Sequence, residues 1–548
     1  MTLIRPDSRL TPEMIQDYCS TGAWRARSLG SYLREAVAAQ PERQAAVGYD
    51  VHGDKLTALS YRDLADLVDR LAAGLLGLGV QPGDAVSAML PNRVEFAALM
   101  FAIAEIGAVY SGIPAAYGQR ESTFMVRRVK SKVLVVPDSY RNRNYVELAR
   151  QIRSEAAELD HVIVLGDAPE QPGWLSFEEL AAATPVRLPN VEPSSLVHVG
   201  FTSGTTGEPK GVMNTHQTLD AVLFRFIDHH GPDLLNQSVV NLIASPMGHH
   251  TGFLWGVLFT TLLGGRGVYL EHWDRDVAAK LIRDEGVTWM AGAPTFLQDL
   301  LMVPGMGPGS LKMYAMAGSP IPRSLPREAS ASLDAFICPA WGMTEWGIGI
   351  CGSLQLPRER VDVTDGIAIP GCEARVMAAP MREADPGEEG DLQIRGGGLF
   401  LGYFDRPDFT EDAFVDGWFQ TGDRAIKWED GFISLSGRSK DIVIRGGENV
   451  PVVEIETLIY QHPAVLDVAV VGYPDERLGE RACAIVAVRQ GSSLDLPELI
   501  EFLLSKGMSK HFLPERLEHL AALPKTMSGK IKKAELRQWL MAGGDPPD

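Results

Sequence analysis

At 548 residues the chain is longer than one ordinary hydrophobic core sustains, so two or more packing units are expected. Hydrophobic residues make up 45% and charged residues 22%, the balance of a soluble globular enzyme. A formal net charge of −19 argues against a nucleic-acid scaffold, because phosphate backbones demand a basic face. Any phosphate site must be local, built of backbone amides and a few cations. Cys19, Cys338, Cys351, Cys372 and Cys483 form no CxxC pair and read as reduced thiols of a cytoplasmic protein. No early apolar run suggests a signal peptide. The most apolar stretch, Gly252 to Leu263, is too short to span a bilayer. It ends at Gly264 and Gly265 and reads as a buried helix, so no transmembrane segment is expected.

Along the chain, Ser60 and Asp63 form a capping box ahead of a helix over Tyr61–Leu78, stopped by Gly79. Asp84–Leu90 reads as a buried strand and Val94–Ile106 as a largely apolar helix. Lys132–Val136 reads as a strand, Tyr145–Leu159 as a helix, and His161–Leu165 as a strand. Strands separated by helices imply a mostly parallel sheet covered on both faces. Between Gly366 and Leu435 the pattern shifts to short strands, Gly390–Arg395, Ala425–Trp428 and Phe432–Ser434, amid glycine and proline. This is the pattern of a small antiparallel barrel or sheet. After Arg438 comes a compact α+β sequence: helix Val453–Gln461, strands Val465–Tyr473 and Arg481–Arg489, and helix Leu496–Leu504. The expected fold is therefore α/β: a large domain of parallel sheets and helices over residues 1–438 with a small β-barrel-like subdomain. A small α+β domain follows over 439–548.

The strongest local chemistry lies at Thr202, Ser203, Gly204, Thr205, Thr206, Gly207 and Lys210, directly after the apolar strand Leu196–Phe201. Glycines let the backbone turn sharply and aim N–H groups at an anion. The hydroxyls add donors and Lys210 adds charge, which is what a polyphosphate needs. A Walker A loop is not intended, since the Gly-Lys-Ser/Thr ending is missing. A plain surface loop would not be expected to concentrate Ser203, Thr205, Thr206 and Lys210 here.

The segment resembles the phosphate loop of the adenylate-forming superfamily of acyl-CoA synthetases, peptide-synthetase adenylation domains and luciferases. Five further stretches match that family in order over roughly residues 50–535. Pro246 to Phe253 carries a P-x-x-H-x-x-G pattern, and the resemblance puts His249 and Phe253 beside the acyl pocket. A zinc site at His249 and His250 is not expected, because adjacent positions cannot easily face one ion. Ala317, Gly318 and Ser319 follow the strand Met313–Met316. They resemble the turn that meets adenine and the acyl group. Trp341, Gly342, Met343, Thr344 and Glu345 resemble the motif that stacks on adenine, bonds the α-phosphate and ligates Mg²⁺. One departure precedes it: Pro339 stands where many members carry an Asn or Gln that reads the adenine amino group. Asp423 in Thr421-Gly422-Asp423 corresponds to the ribose carboxylate, Arg438 to its cationic neighbour, and Lys440 to the hinge. Arg445, Gly446 and Gly447 resemble the loop lining the pantetheine arm of coenzyme A. Lys530, in Ser-Gly-Lys-Ile, corresponds to the catalytic lysine.

The resemblance implies an ATP-dependent ligase that joins a carboxylate to the α-phosphate, releases pyrophosphate, then passes the acyl group to coenzyme A with domain alternation about Lys440. The catalytic set would be Lys530, Thr344, Glu345 and His249. Mg²⁺ would sit on Glu345, with Trp346 and Gly347 among the acyl walls. Few fixed charges line those walls and no Asp is placed to hold an amino group, so the acid is expected to be apolar: fatty, alicyclic, aryl or polycyclic. Each buried methylene contributes about 0.8 kcal/mol. The alternative is an adenylation-only enzyme serving another enzyme or a carrier-protein thiol. A luciferase-like monooxygenase and a non-catalytic nucleotide-binding protein are further rivals. The sequence leaves a homodimer open.

Overall fold

A computed structural model describes residues 7–202, 209–438, 443–445, 448–475, 479–508, 510–526 and 529–542. Two parallel-rich sheets form the body. The larger runs, in spatial order, Ile367–Ala368, Gly347–Cys351, Phe336–Met343, Met313–Met316, Trp289–Gly292, Val240–Ile243, Arg266–Leu270, Gln44–Tyr49 and Lys55–Ser60. The second runs Lys210–Thr215, Leu196–Thr202, Val109–Gly112, Ala85–Ala88, Val133–Pro137, His161–Leu165 and Trp174–Ser176. Interior pairs are parallel and the edges include antiparallel hairpins. Interior strands such as Val133–Pro137 and Met313–Met316 are short, fully buried, mainly apolar runs, as expected where both faces are covered.

Helix Val94–Glu105 shows why such sequences are needed. Nearly every side chain from Val94 to Ala104 is buried, so no polar stripe is present. It packs on helix Tyr61–Gly77 and on strand Val109–Gly112. The capping box at that second helix is formed: the Ser60 hydroxyl accepts from Asp63 N–H while the Asp63 carboxylate accepts from Ser60 N–H. Gly79 adopts a left-handed φ of +82° just beyond its end. The apolar stretch at 252–263 is a buried helix as expected, but it is wound wide as a π-turn over Gly252–Leu258 before an α-turn at Phe259–Leu262. The helix from Tyr145 stops at Glu155, short of the expected Leu159, because Ala156 turns extended to lead into strand His161–Leu165. No described helix is long and apolar enough to cross a membrane.

A third sheet is antiparallel and contains Glu373–Ala379, Glu389–Arg395, Trp418–Lys427 and Ile433–Arg438. Asp365 ties it to the body, accepting from Arg323 Nη2 at 2.6 Å and from Leu435 N–H at 2.8 Å. The C-terminal unit has its own sheet, with Val465–Asp475 and Gly479–Val488 as its long hairpin, and its own apolar cores beneath helices Val452–Tyr460, Leu496–Ser505 and Lys533–Ala542.

Candidate active site

The functional segments leave their strands at the C-terminal ends. Thr202 ends Leu196–Thr202, Ala317 follows Met313–Met316, Thr344 follows Phe336–Met343, and His249 lies beyond Val240–Ile243. Crevices outside the carboxyl ends of parallel strands are where α/β sheets bind ligands.

Thr202 and Lys210 face each other across an antiparallel pair, which fixes both ends of the glycine-rich loop. Ser203, Gly204, Thr205, Thr206 and Gly207 lie outside the described residues, as do Lys440, Gly446 and Gly447. The Lys210 ammonium lies 4.7 Å from the Tyr403 ring centroid and 4.6 Å from that of Phe409, close enough for cation–π attraction. Tyr403 is held there by the backbone: Phe404 N–H donates to Gly211 O at 2.7 Å and Met213 N–H to Gly402 O at 3.1 Å.

The Tyr403 hydroxyl donates to Glu345 Oε1 at 2.9 Å. Glu345 is only 5% exposed. Burial raises its pKa, opposed by the Tyr403 hydrogen bond and by the charges of Arg438 and Lys210. A buried carboxylate whose second oxygen still has acceptor capacity suits a hard divalent cation, so the residues present fit Mg²⁺. Thr344 is buried nearby, with its methyl beside Gly200. A Cβ at Gly200 would sit 3.2 Å from it.

Asp423 joins three elements. Trp341 Nε1–H donates to its Oδ2 at 2.8 Å, and Arg438 Nε–H donates to its Oδ1 at 3.0 Å. Asp423 and Arg438 are also cross-strand partners. The indole therefore does more than offer a face: its edge orients the carboxylate. Each Asp423 oxygen keeps a lone pair for a further donor. Trp341→Phe keeps the ring face but removes this bond to a charged acceptor, which is worth about 1.5–3 kcal/mol. We expect the KM for ATP to rise about tenfold or more with kcat less affected, read from initial rates at varied ATP. Pro339, which stands where many members of the resembled family carry an amide side chain, has its carbonyl in the sheet, accepting Gly352 N–H at 2.9 Å.

On the acyl side, His249 Nδ1 accepts from Thr251 N–H at 3.3 Å, leaving the proton on Nε2. Burial, with Lys530 nearby, pushes its pKa down to about 4, so the ring is neutral at pH 7. The structure adds two histidines that sequence reasoning did not use. His198 stacks on Phe253 at 4.5 Å and lies 5.4 Å from His250; burial lowers both pKa values. Phe253 and Trp346 are buried. Gly342 and Gly347 permit a tight hairpin: a Cβ at Gly342 would overlap the Gly347 carbonyl, and Gly347 has φ +100° with Val222 and Leu254 against it.

The small domain contributes Lys530. Thr526 and Lys530 close a turn, with Thr526 N–H donating to Lys530 O at 2.7 Å and Lys530 N–H to Thr526 Oγ1 at 3.0 Å. Gly529, at φ +83°, seats this turn against Ala293 and Thr295, where a Cβ would clash with the Thr295 hydroxyl. The Lys530 side chain then passes Gly318: a Cβ there would lie 3.6 Å from its Cε. Desolvation, aided by Arg438, lowers its pKa to about 8, against the upward pull of Asp423 and Glu345. Thus Lys530, Gly318, Glu345, Asp423, Arg438, Thr344 and His249 form one site. Arg445 lies in the small domain, where its Nε–H donates to Glu515 Oε1 at 2.6 Å.

Comparisons with known proteins identify the family. The family described as AMP-binding enzyme matches residues 33–404, and its C-terminal domain matches residues 454–530. The medium-chain fatty-acid–CoA ligase of Escherichia coli K12 is 32% identical over 531 residues, 96% of this chain and 92% of that protein. The 2,3-dihydroxybenzoate-AMP ligase of Bacillus subtilis 168 is also 32% identical, over 540 residues and 96% of each chain. The ATP-bound structure of MatB from Rhodopseudomonas palustris superposes with a TM-score of 0.83 at 27% identity, covering 94% of this chain and 99% of that one. The chain belongs to the AMP-binding enzyme family and is an adenylate-forming, AMP-forming ligase.

Proposed function

We propose that this enzyme is an ATP-dependent acyl-CoA ligase for an apolar carboxylic acid, fatty, alicyclic, aryl or polycyclic. The observation that carries the reading is the insertion of Lys530 among Gly318, Glu345, Asp423 and Arg438. A carboxylate is a poor electrophile, since oxide would have to leave. Attack of its oxygen on the α-phosphorus of ATP breaks the bond to pyrophosphate and makes AMP the later leaving group. Two anions must approach, so the site must supply cations. Lys530 bridges the incoming carboxylate and the α-phosphate, Thr344 donates to that phosphate, and Lys210 with the loop over 203–207 receives pyrophosphate. Asp423 accepts from the ribose hydroxyls, and Arg438 holds Asp423. Glu345 would hold Mg²⁺, which would supply charge neutralisation of the phosphates. His249, neutral, closes the acyl side near the carboxylate. This is positioning and electrostatics more than acid–base chemistry.

In the second half-reaction the thiol sulfur of coenzyme A attacks the anhydride carbonyl, its proton is lost to solvent, and AMP departs. Residues 1–438 would then hold the adenylate while residues 439–548 turn about Lys440, withdraw Lys530 and present Arg445, Gly446 and Gly447. The acyl-CoA ligase of Escherichia coli supports CoA as the acceptor, and the apolar walls Phe253 and Trp346 support the acid class.

A second reading has one specific support: the AMP ligase of Bacillus subtilis is as similar as the CoA ligase. In that reading the acyl-adenylate goes to a partner enzyme or carrier thiol. The test is AMP and pyrophosphate release from ATP over a panel of acids, each with and without coenzyme A. Acid-dependent AMP turnover that requires coenzyme A is the expected result. A single burst of pyrophosphate that coenzyme A does not turn into steady release would overturn the CoA assignment and favour the second reading.

A further inference from the structure

Behind the adenine side of the site lies a cluster of donors that the ligase chemistry does not use. Cys338 lies on strand Phe336–Met343, ahead of Trp341. Cys351 ends the partner strand Gly347–Cys351. His230 closes helix His216–His230. All three are buried. One ligand atom from each, two Sγ and an imidazole nitrogen, lies within 4.8 Å of the others. Cys351 Sγ is 3.8 Å from His230 Nε2.

These separations have a chemical meaning. Metal–sulfur bonds of about 2.3 Å and metal–nitrogen bonds of about 2.0–2.1 Å put donors sharing one ion on the order of 3.5–4 Å apart. The triangle needs little contraction to close on a cation. The backbone holds it from three sides. The two cysteines sit on hydrogen-bonded antiparallel strands, and Cys338 Sγ contacts Gly352 O at 3.4 Å. The His230 ring is wedged by Phe226 at 4.4 Å. Its Nδ1 is buried with no hydrogen-bond partner among the described residues, so no hydrogen bond there competes with the Nε2 contact to the thiol.

We propose that His230, Cys338 and Cys351 form a binding site for a thiophilic closed-shell cation, separate from the Mg²⁺ expected at Glu345. Two sulfurs and one imidazole are soft donors that select cuprous copper or zinc over magnesium or calcium. No fourth ligand joins the group among the described residues. Zinc in protein sites is almost always four-coordinate, whereas cuprous copper accepts three donors, so cuprous copper is the ion assigned. Binding displaces the thiol protons to solvent and leaves the neutral imidazole bound through Nε2. No redox change is involved.

The test is an anaerobic titration of the full-length protein with cuprous ion against a chromogenic cuprous chelator. It is run in a Cys19→Ser background, because Cys19 is the exposed thiol. The expected result is one equivalent retained through gel filtration, with a raised Tm. Cys338→Ala/Cys351→Ala should hold copper at least tenfold less tightly while still binding ATP. His230→Gln, which spares both thiols, should weaken binding by about tenfold or more and stands in if the double variant does not fold. No retention by the Cys19→Ser protein, or equal retention by the double variant or by His230→Gln, would overturn the proposal.

Discussion

Lys530→Ala should slow acyl-adenylate formation by on the order of 10²–10³ or more, the scale of a lost transition-state donor. Conversion of supplied acyl-adenylate to acyl-CoA should stay close to wild type. Pyrophosphate exchange measures the first half and thioester formation from synthetic adenylate the second. Equal losses in both halves would remove the assignment, because a lysine that only supports folding would not separate them. The same residue fixes a pH dependence. Burial lowers the ammonium from the ordinary lysine value to about 8, so its charge is present below that pH and is lost as pH rises through it. In the free enzyme, kcat/KM for adenylation should fall above about pH 8. In the kcat profile the limb should move upward, because bound ATP and carboxylate favour the charged form. Lys530→Arg should flatten the limb, since guanidinium stays charged throughout.

The second large effect is expected at Glu345. Glu345→Gln keeps the shape and an acceptor for the Tyr403 hydroxyl but removes the carboxylate charge. Adenylation should fall by on the order of 10²-fold or more, and the magnesium concentration giving half-maximal rate should rise. Tyr403→Phe removes only one hydrogen bond to the same oxygen and should cost about tenfold at most. If Glu345→Gln kept the wild-type magnesium dependence, Glu345 would not be the metal ligand. Rates at varied magnesium and fixed ATP separate these outcomes.

Much of this molecule was legible before any coordinates, for reasons that differ by segment. The Ser60–Asp63 cap is a local hydrogen-bond exchange, so four residues suffice to read it. His161–Leu165 and Val133–Pro137 are short β-branched runs between turns, and such runs have few other uses. The six chemical segments stand out because glycine, lysine and carboxylate patterns can be read along the chain without knowing what folds against them. What escaped is what forms between distant segments. Trp341 and Asp423 are 82 residues apart, and neither hints that the indole N–H meets the carboxylate. Tyr403 carries no local signature, yet backbone pairing with Gly211 brings it to both Lys210 and Glu345. Apolar content alone gave a helix over 252–263 but could not reveal the wide π-winding.

The seat of Lys530 has an energetic consequence. The turn that delivers it is held by the fit of Gly529 against Ala293 and Thr295 and by its own internal hydrogen bonds, with no salt bridge of the lysine itself among the described residues. A lysine lowered to about 8 is charged at a cost, and negative charge in the crevice offsets that cost. ATP and a free carboxylate bring several negative charges; an acyl-adenylate after pyrophosphate leaves carries one. Under the proposed domain alternation, the docked turn would be gripped hardest before the first reaction and loosened once pyrophosphate has left. The reactants' own charge would then act as a ratchet, giving direction to that motion.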